Sequence, residues 1–376
     1  MTATPLPAID VAPRLDRVRT EMDARDLPAL IVTSLVDVRW LTGFTGSAAQ
    51  LAIGPDESLL ITDDRYALQA PAQLADAGCT ARVEITRTEH RKLLTAMLGS
   101  EQRIGLQDES ISWAQACVFG DDWFVDAEMV PTGELLVGLR SVKDDAEVAR
   151  IERAAAITDA ALAEVAPLLL GRPTERDFAF ALDTAIRRGG AEGNAFDTIV
   201  ASGPNGARAH HRPGDRTIVD GDLVVIDVGA MVDGYRSDMT RTFGVGQVDD
   251  IRQRMYDVVI ASQQAGVDAV GDGVATKSVD NAARQVIVDA GWGDNFAHGT
   301  GHGVGLDIHE LPRVNARATD VYALGHVATV EPGVYIPDVG GVRIEDTVVV
   351  TSNGARRLTG ANKTLDPTGL HSGPRP

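Results

Sequence analysis

The sequence predicts a protein of mixed helices and strands, in the α/β or α+β class, built from two domains. A chain of 376 residues with 44% apolar side chains is long enough for about two packed cores. Helical and strand patterns alternate through the N-terminal part, which is typical of an α/β layer. Amphipathic helices and β-branched strands dominate the rest of the chain, which predicts a second domain.

The N-terminal patterns predict the following elements in order. Residues 8–26 carry apolar side chains at helical spacing, and residues 29–33 form a short apolar run that predicts a buried strand. Further patterns predict strands at residues 51–53, 59–62 and 81–86, and a helix at residues 65–77. Periodicity weakens between residues 109 and 142.

A long amphipathic helix is predicted over residues 144–170, and we place the domain boundary just before it. The predicted domains are therefore residues 1–140 and 141–376. Thr174, with Asp177 three positions later, has capping-box spacing and begins a helix that a Gly-Gly pair ends. The remaining predictions are helices near residues 250–270 and 276–290, strands at residues 327–335 and 342–350, and a frayed tail at residues 371–376.

The charge balance and the cysteine content narrow the class of function. Thirty-five Lys and Arg residues against 54 Asp and Glu residues give a net charge of −19, which repels nucleic acid and anionic lipid. Cys79 and Cys117 lie far apart, in neither a metal nor a redox spacing, so we expect a reducing, cytoplasmic location. No secretory pattern and no uninterrupted run of about 18 apolar residues occurs, so we expect no membrane span.

Residues 224–243 form the stretch around which the second domain is organised. An apolar β-branched run, an Asp233-Gly234 turn signal and a second strand-like run together predict a β-hairpin. Asp227 follows three apolar residues in what should be a buried strand. An unpaired carboxylate in that position is costly or loses its charge, so Asp227 needs a compensating group.

Asp238, in the second run of the hairpin, comes close to Asp227 in either of two registers. A two-residue loop makes the carboxylates diagonal neighbours on one face, and a loop shifted by one residue makes them direct partners. Like charges that close need a shared proton or a cation. A metal pair is one interpretation, and a solvated hairpin with one hydrogen-bonded Asp is the other.

Six of the eight histidines fall between residues 210 and 326, in the same half of the chain as the hairpin. Glycines surround His302 in Gly299-Thr-Gly-His-Gly-Val-Gly, which lets backbone pack close to whatever the imidazole touches. A phosphate-binding loop is excluded, because no strand precedes the glycines and the Walker lysine is missing. A structural role for His302 is the alternative to metal binding.

Two glutamates, like Asp227, are carboxylates within apolar runs that predict buried strands. Glu331 and Glu345 both lie inside β-branched runs, and Pro332 predicts a bulge or a strand end at Glu331. Because the sum of their numbers is even, they share a face only if the loop between the strands has an odd length or a bulge intervenes. The five residues together form an oxygen-rich set that suits a pair of Mn²⁺, Co²⁺ or Zn²⁺ ions: Asp227, Asp238, His302, Glu331 and Glu345.

This set, with its flanking motifs, resembles the ligand set of the pita-bread metallopeptidases, in the aminopeptidase P and prolidase branch. The matching motifs begin at Ser202, Gly299, Val330 and Gly341, and the resemblance covers about residues 142–365. Stretches that begin at Asp37 and Thr62 resemble the creatinase-type N-terminal domain of the same branch. Methionine aminopeptidases typically lack that domain. The resemblance implies a creatinase-type α/β domain followed by a pita-bread catalytic domain.

The resemblance also implies how the ligands are shared. His302 and Glu331 would hold one metal ion, Asp227 the other, and Asp238 and Glu345 would bridge both. Two such ions activate a water for attack on the scissile carbonyl and stabilise the oxyanion. Glu331 would be the proton shuttle, and Mn²⁺ is the expected metal, with Co²⁺ or Zn²⁺ as alternatives.

Further matches to the family lie outside the ligand set. His210 matches a substrate-side histidine that stabilises the tetrahedral intermediate, although His211 beside it leaves that assignment open, and Ala209 replaces a proline often found there. His298 and His309 match two histidines of the substrate pocket. Arg343 matches an active-site arginine that supports bridging or substrate carboxylates, and a simple ion pair with Asp346 or Glu345 is its alternative.

The predicted function is therefore dinuclear-metal hydrolysis of the bond between an N-terminal residue and a following proline, in proline-containing peptides. The first expectation is an Xaa-Pro aminopeptidase, and the alternative within the class is an Xaa-Pro dipeptidase. A creatinase-like hydrolase without metal, or a binding protein on the same fold, is the alternative of another class. Both of those predict missing carboxylates. The family resemblance also predicts a homodimer.

Overall fold

The protein is described here from a computed structural model, which describes residues 5–369. The predicted tail at residues 371–376 lies outside this range. The chain divides into two compact units, one formed by Pro7–Arg140 and the other by the chain from Ser141 onward.

The N-terminal unit is a six-stranded sheet with helices. Its strand order is β4-β3-β2-β1-β5-β6, and β2 is antiparallel to both neighbours while the other pairs are parallel. Ile31, Ile61 and Phe119 lie in its buried core. The elements are α1 (Ala12–Ala24), β1 (Ala29–Val32), α2 (Leu35–Thr42), β2 (Ala49–Ile53), β3 (Ser58–Thr62), α3 (Gln69–Asp76), β4 (Arg82–Ile85), α4 (His90–Leu98), β5 (Arg103–Leu106), α5 (Trp113–Cys117), β6 (Glu128–Pro131) and α6 (Leu135–Ser141).

The predicted first helix and the four predicted strands of this unit are confirmed. The helix predicted over residues 65–77 is instead a 3₁₀ turn at Asp64–Tyr66 followed by α3. The prediction missed α2, α4, β5 and the elements after residue 109, which are too short for apolar periodicity to stand out.

The C-terminal unit combines four helices with several small sheets. The sheets have the orders β11-β10-β7, β12-β9-β8, β14-β13-β15-β18-β19 and β16-β17. The elements are α7 (Asp145–Val165), α8 (Glu175–Arg188), β7 (Gly193–Asn194), β8 (Ile199–Ser202), β9 (Leu223–Val228), β10 (Ala230–Val232), β11 (Tyr235–Arg236), β12 (Met239–Gly244), α9 (Asp250–Ala269), α10 (Thr276–Asp289), β13 (Gly301–Gly303), β14 (Glu310–Val314), β15 (Val327–Val330), β16 (Gly333–Ile336), β17 (Gly340–Arg343), β18 (Asp346–Thr351) and β19 (Gly354–Arg357).

The helices of this unit follow the sequence predictions closely. Asp144 and Glu147 form a capping box at the start of α7, which continues as a 3₁₀ turn to Gly171. The segment Asp145–Gly171 is apolar and long enough to cross a membrane by composition alone, but half of its most apolar window is buried inside the unit. Asp159 and Glu164 interrupt it. Core helices of globular domains share this property, and apolar side chains of α7, α8 and β9 belong to one buried core.

The central hairpin adopts the first of the two registers considered. Asp233 and Gly234 both have positive φ, at 45° and 72°, as a two-residue type I′ turn requires. Asp227 pairs with Thr240, so Asp227 and Asp238 are diagonal neighbours on one face. The register with direct partners does not occur.

The strands that carry Glu331 and Glu345 are joined by a loop of odd length, which is one of the two conditions under which these residues share a face. Val330 pairs with Asp346, and Ile336 pairs with Gly340 across a three-residue loop. The predicted strands at residues 327–335 and 342–350 are each interrupted at the glutamate, which yields β15 with β16 and β17 with β18. Both ladders share one register, and its continuation sets Glu331 opposite Glu345.

Candidate metal centre

The predicted ligands lie at strand ends around a single cavity of about 540 Å³. Asp227 is on β9 and His302 is on β13, while Asp238, Glu331 and Glu345 lie directly beside β12, β15 and β18. Strand ends suit ligands, because the backbone ladder fixes the Cα positions while the side chain leaves the sheet. All five predicted ligands line this cavity.

Three of these residues form the tightest group. One ligand atom from each of Asp238, His302 and Glu345 lies within 4.8 Å of the others. His302 Nε2 is 3.7 Å from Asp238 Oδ2 and 3.5 Å from Glu331 Oε1. An imidazole nitrogen and several carboxylate oxygens therefore converge on one point, which is the donor set that Mn²⁺, Co²⁺ and Zn²⁺ accept.

The imidazole of His302 is prepared to act as a ligand. Its Nδ1 donates to the carbonyl of Gly303 at 3.0 Å, which leaves the lone pair on Nε2, the atom that faces the carboxylates. Burial lowers the pKa of His302 to about 4, so the ring is neutral near pH 7. A Cβ on Gly301 would lie 2.1 Å from the Thr329 carbonyl oxygen, so the predicted need for glycine beside this histidine is real.

The carboxylates repel one another in a buried space. Burial, followed by the charges of Glu345, Asp227 and Glu331, raises the pKa of Asp238 well above its usual value. Burial and then the charges of Glu331 and Asp227 do the same for Glu345. Burial raises the pKa of Glu331 to about 8, although the Arg343 guanidinium opposes it. Bound cations would offset the repulsion between these carboxylates and stabilise their charged forms.

Two carboxylate oxygens of the cluster lack a hydrogen-bond partner among residues 5–369, although both atoms are buried. They are Asp227 Oδ1 and Glu345 Oε1. The other oxygen of each group is engaged: Arg343 Nη2 donates to Asp227 Oδ2 at 2.7 Å, and Thr240 Oγ1 donates to Glu345 Oε2 at 2.7 Å. Buried polar atoms rarely stay unpaired, so these oxygens are fitted to accept a metal ion.

Arg343 pairs with Asp227, so the alternative ion pair with Asp346 or Glu345 does not form. Asp346 is instead neutralised by Arg241, Arg357 and Lys363. Arg343 Nη1 also donates to the Tyr335 hydroxyl at 2.9 Å. The guanidinium thereby fixes one oxygen of Asp227 and leaves the other directed at the cluster.

Tyr335 is the residue that the sequence analysis missed. Its hydroxyl accepts from Arg343 and donates to Nε2 of His298 at 2.9 Å, while His298 Nδ1 donates to the Gly299 carbonyl. Tyr335 lies in the same motif as Glu331, but nothing in a β-branched strand distinguishes a buried tyrosine that packs from one that relays a hydrogen bond. A chain of contacts thus joins Asp227 to His298.

Four further histidines line the cavity, and His211 differs from the other three in being held by a hydrogen bond to a buried carboxylate. His210, His298 and His309 line the cavity, and the rings of His302 and His309 meet edge to face with centroids 4.4 Å apart. Burial lowers the pKa of His298 to about 4. His211 is engaged elsewhere, because its Nε2 donates to Glu175 Oε2 at 2.8 Å. Of this pair, His210 is therefore the histidine whose side chain has no hydrogen-bond partner within residues 5–369, and it is free to meet a substrate.

Comparison with known proteins identifies the family. The model of metallopeptidase family M24 matches residues 149–352, and the model of the creatinase/prolidase N-terminal domain matches residues 14–142. This chain belongs to metallopeptidase family M24. The resemblance to the pita-bread metallopeptidases is therefore confirmed, as is the combination of a creatinase-type N-terminal domain with an M24 catalytic domain.

Other M24 proteins match over almost their whole length. An Xaa-Pro dipeptidase of Pyrococcus furiosus is 33% identical over 94% of this chain and 99% of its own. The structure of an Xaa-Pro dipeptidase from Bacillus anthracis has a TM-score of 0.89 at 33% identity, over 95% of this chain and 99% of that one. An X-Pro aminopeptidase from Thermotoga maritima has a TM-score of 0.82 at 31% identity, over 90% and 97%. Membership of a metallopeptidase family agrees with the carboxylate and histidine cluster.

Proposed function

We propose that this M24 protein hydrolyses the peptide bond between an N-terminal residue and a following proline. The observation that carries the proposal is the cluster itself: Asp227 Oδ1 and Glu345 Oε1 are buried without hydrogen-bond partners beside the free Nε2 of His302, among the residues described. In a site with a purely structural role, these buried atoms would have hydrogen-bond partners.

The metal ions would be held by the five residues in the division that the family resemblance implies. His302 and Glu331 would hold one, Asp227 the other, and Asp238 with Glu345 would bridge them. When bound, the pair supplies an activated water and positive charge beside the scissile carbonyl. We propose Mn²⁺ as the native metal, with Co²⁺ and Zn²⁺ as alternatives, because four of the five ligands are carboxylates.

The protein's own side chains supply orientation and proton transfer. Glu331 would carry the proton to the leaving nitrogen, since its carboxylate lines the cavity and Oε1 accepts only a long bond, 3.4 Å, from Thr329 Oγ1. His210 would donate to the carbonyl oxygen as negative charge develops there. His298 and His309 would position the proline side, and Arg343 keeps Asp227 oriented through its 2.7 Å contact.

A dipeptide is the substrate that we favour. Relatives that match almost the whole chain are named Xaa-Pro dipeptidase, which supports the alternative over the aminopeptidase expected first from the sequence. A dipeptide presents the proline carboxylate next to the scissile bond, so its pocket needs cationic groups. Arg212 and Arg313 both line the cavity. Either guanidinium could receive that carboxylate.

The test uses protein loaded with Mn²⁺ and three peptides: an Xaa-Pro dipeptide, an Xaa-Pro-Yaa tripeptide and an Xaa-Ala dipeptide, with products measured by mass spectrometry. Cleavage of the first alone supports the dipeptidase, and equal or better cleavage of the second supports the aminopeptidase. If none of the three peptides is cleaved, a creatinase-like hydrolase without metal or a binding protein on the same fold is favoured instead. Arg313→Met should lower kcat/KM for the dipeptide by about tenfold more than for the tripeptide if Arg313 binds the carboxylate.

Three further expectations belong to this proposal. We propose that residues 1–140 and 141–376 act as the N-terminal and catalytic domains. Dimerisation stays a prediction from the family resemblance, and light scattering on the purified protein measures it. A cytoplasmic location stays a prediction from the cysteine content, in keeping with Cys79 and Cys117, which are free.

A further inference from the structure

Glu175, the first residue of α8, has a buried carboxylate that is saturated with hydrogen bonds. Glu175 is 0% exposed to solvent. All five side-chain hydrogen bonds come from one stretch of chain, residues 202–214: Ser202 N at 2.9 Å, Ser202 Oγ at 2.7 Å, Asn205 Nδ2 at 3.0 Å, His211 Nε2 at 2.8 Å and Gly214 N at 3.1 Å. We call this stretch the 202–214 loop.

The donors are spread over the whole 202–214 loop. Ser202 is its first residue, Gly214 its last, and Asn205 and His211 lie between them. A single carboxylate therefore holds both ends and the middle of the segment. The backbone adds to this, because Arg176 N donates to the Gly214 carbonyl at 3.1 Å.

The loop so held forms a wall of the active-site cavity. Five consecutive residues line the cavity: Ala209, His210, His211, Arg212 and Pro213. The Ala209 carbonyl accepts from Arg343 Nη1 at 3.3 Å, and a Cβ on Gly206 would lie 2.8 Å from the Gly341 nitrogen. The wall is therefore packed directly against β17, which carries Arg343.

The charge of Glu175 suits this task. Burial alone would raise its pKa, but the hydrogen bonds from Asn205, Ser202 and His211 together outweigh burial and lower it. The start of α8 adds a favourable dipole. An ionised carboxylate accepts from all five donors at once, whereas a neutral amide offers one accepting oxygen and two donors of its own.

We propose that Glu175 is a positioning residue for the reaction, which acts by fixing the 202–214 loop and so the place of His210 on the cavity wall. This rests on the proposed function, in which His210 meets the substrate. Glu175 does not line the cavity and is not itself a catalytic residue.

The first experiment measures the loop without any substrate. Hydrogen–deuterium exchange followed by mass spectrometry compares wild type, Glu175→Gln and the matched control Asp177→Asn, which removes a carboxylate from the same helical turn. Asp177 is exposed, and its side chain accepts a hydrogen bond from Thr174 Oγ1 at 2.8 Å. Peptides that span residues 202–214 should exchange about 10- to 100-fold faster in Glu175→Gln and at the wild-type rate in Asp177→Asn.

The second experiment is a double-mutant cycle on hydrolysis. Glu175→Gln should lower kcat by about 10- to 100-fold with KM and bound metal little changed, because a misplaced group loses transition-state contacts. In a His210→Ala background the same substitution should have less than about threefold effect. Glu175→Asp should recover part of the activity. A purely structural role would instead lower activity equally in both backgrounds.

The outcomes separate this inference from the proposed function. If wild type cleaves no Xaa-Pro bond, the proposed function fails, while exchange of the loop still decides whether Glu175 holds it. Unchanged exchange in Glu175→Gln, or additive losses in the cycle, would overturn the inference. Should Glu175→Gln fail to fold, His211→Ala removes one donor only. The same faster exchange is then expected, and its absence counts against the inference.

Discussion

Two buried glutamates of the catalytic unit have opposite surroundings. Glu175 is 0% exposed and Glu345 is 1% exposed. Glu175 accepts five hydrogen bonds, and its pKa is lowered. Glu345 accepts one from Thr240 and its Oε1 has no partner within residues 5–369, and burial and neighbouring carboxylates raise its pKa. A buried carboxylate whose oxygens all accept hydrogen bonds holds the surrounding chain in place. One with an oxygen that accepts no hydrogen bond can bind a cation.

The same contrast separates the two sides of the cavity. The ligand side is carried by β9, β12, β13, β15 and β18, whose positions are fixed by backbone ladders. The wall with His210 is a loop whose shape depends on side-chain hydrogen bonds to Glu175. Preorganisation is thus distributed over many bonds on one side and concentrated in one residue on the other.

The same substitution, Glu to Gln, made separately at Glu345 and at Glu175 should give the largest difference between two variants. Glu345→Gln should lose bound metal and lower kcat/KM by at least about 1000-fold, because it removes one charge from the proposed metal centre. Glu175→Gln should retain its metal. Metal content by mass spectrometry and hydrolysis of an Xaa-Pro dipeptide measure both, and unchanged metal and activity in Glu345→Gln would refute the dinuclear assignment.

Arg343 touches both sides of the cavity, so its loss should be the next largest effect. Arg343→Met leaves the Asp227 carboxylate, whose side chain is only 14% exposed, without its ion-pair partner and should lower the stability of the metal-free protein by about 3 kcal/mol. Tyr335→Phe removes the hydroxyl that accepts from the same guanidinium and donates to His298, and it should cost about 1 to 2 kcal/mol while the ion pair between Arg343 and Asp227 remains. Urea unfolding with a chelator present gives both values. Equal losses for the two variants would contradict the role of the Asp227 contact.

His210 tests the loop side alone. His210→Ala should lower kcat by about 100-fold, as expected for a donor to the developing oxyanion, without changing metal content. Arg208→Ala alters an exposed residue of the same loop and serves as the control. If His210→Ala released metal, the separation between a ligand side and a substrate wall would not hold.

The smallest expected effect concerns the turn of the central hairpin. Gly234 has φ of 72°, so Gly234→Ala should destabilise the protein by about 1 kcal/mol through backbone strain. Gly234→Asn is the control, since asparagine tolerates positive φ better than alanine does. Unfolding midpoints measure both changes. Loss of metal in Gly234→Ala would mean that the ladder alone does not fix the ligand side.

The outcome for individual predicted elements follows the length and strength of their patterns. The helix from Thr174 to the Gly-Gly pair was predicted almost to the residue, because a cap, an amphipathic face and a stop signal agree. The prediction missed α2, although Ser34 caps it and Gly43 ends it, because eight residues are too few for an apolar period to stand out, and the four-residue strand β5 was missed for the same reason. The helix predicted over residues 65–77 breaks because the chain turns at Asp64–Tyr66 before α3 begins.

By itself, the sequence determined the family and the local geometry of the ligands. The turn signal and the period of two limited Asp227 and Asp238 to a diagonal or a direct pairing, and the even index sum allowed Glu331 and Glu345 to share a face only with an odd loop or a bulge. The structure has the diagonal pair and a three-residue loop. These rules act within a hairpin, where neighbours in sequence are neighbours in space.

Only the tertiary structure decided which side chains meet across the fold. It paired Arg343 with Asp227, joined Tyr335 to His298, and tied the 202–214 loop to Glu175. These partners lie on different elements, and their contact depends on how helices and sheets pack rather than on any local pattern. The same packing left one oxygen of Asp227 and one of Glu345 unpaired within residues 5–369, which no reading of residue types can reveal.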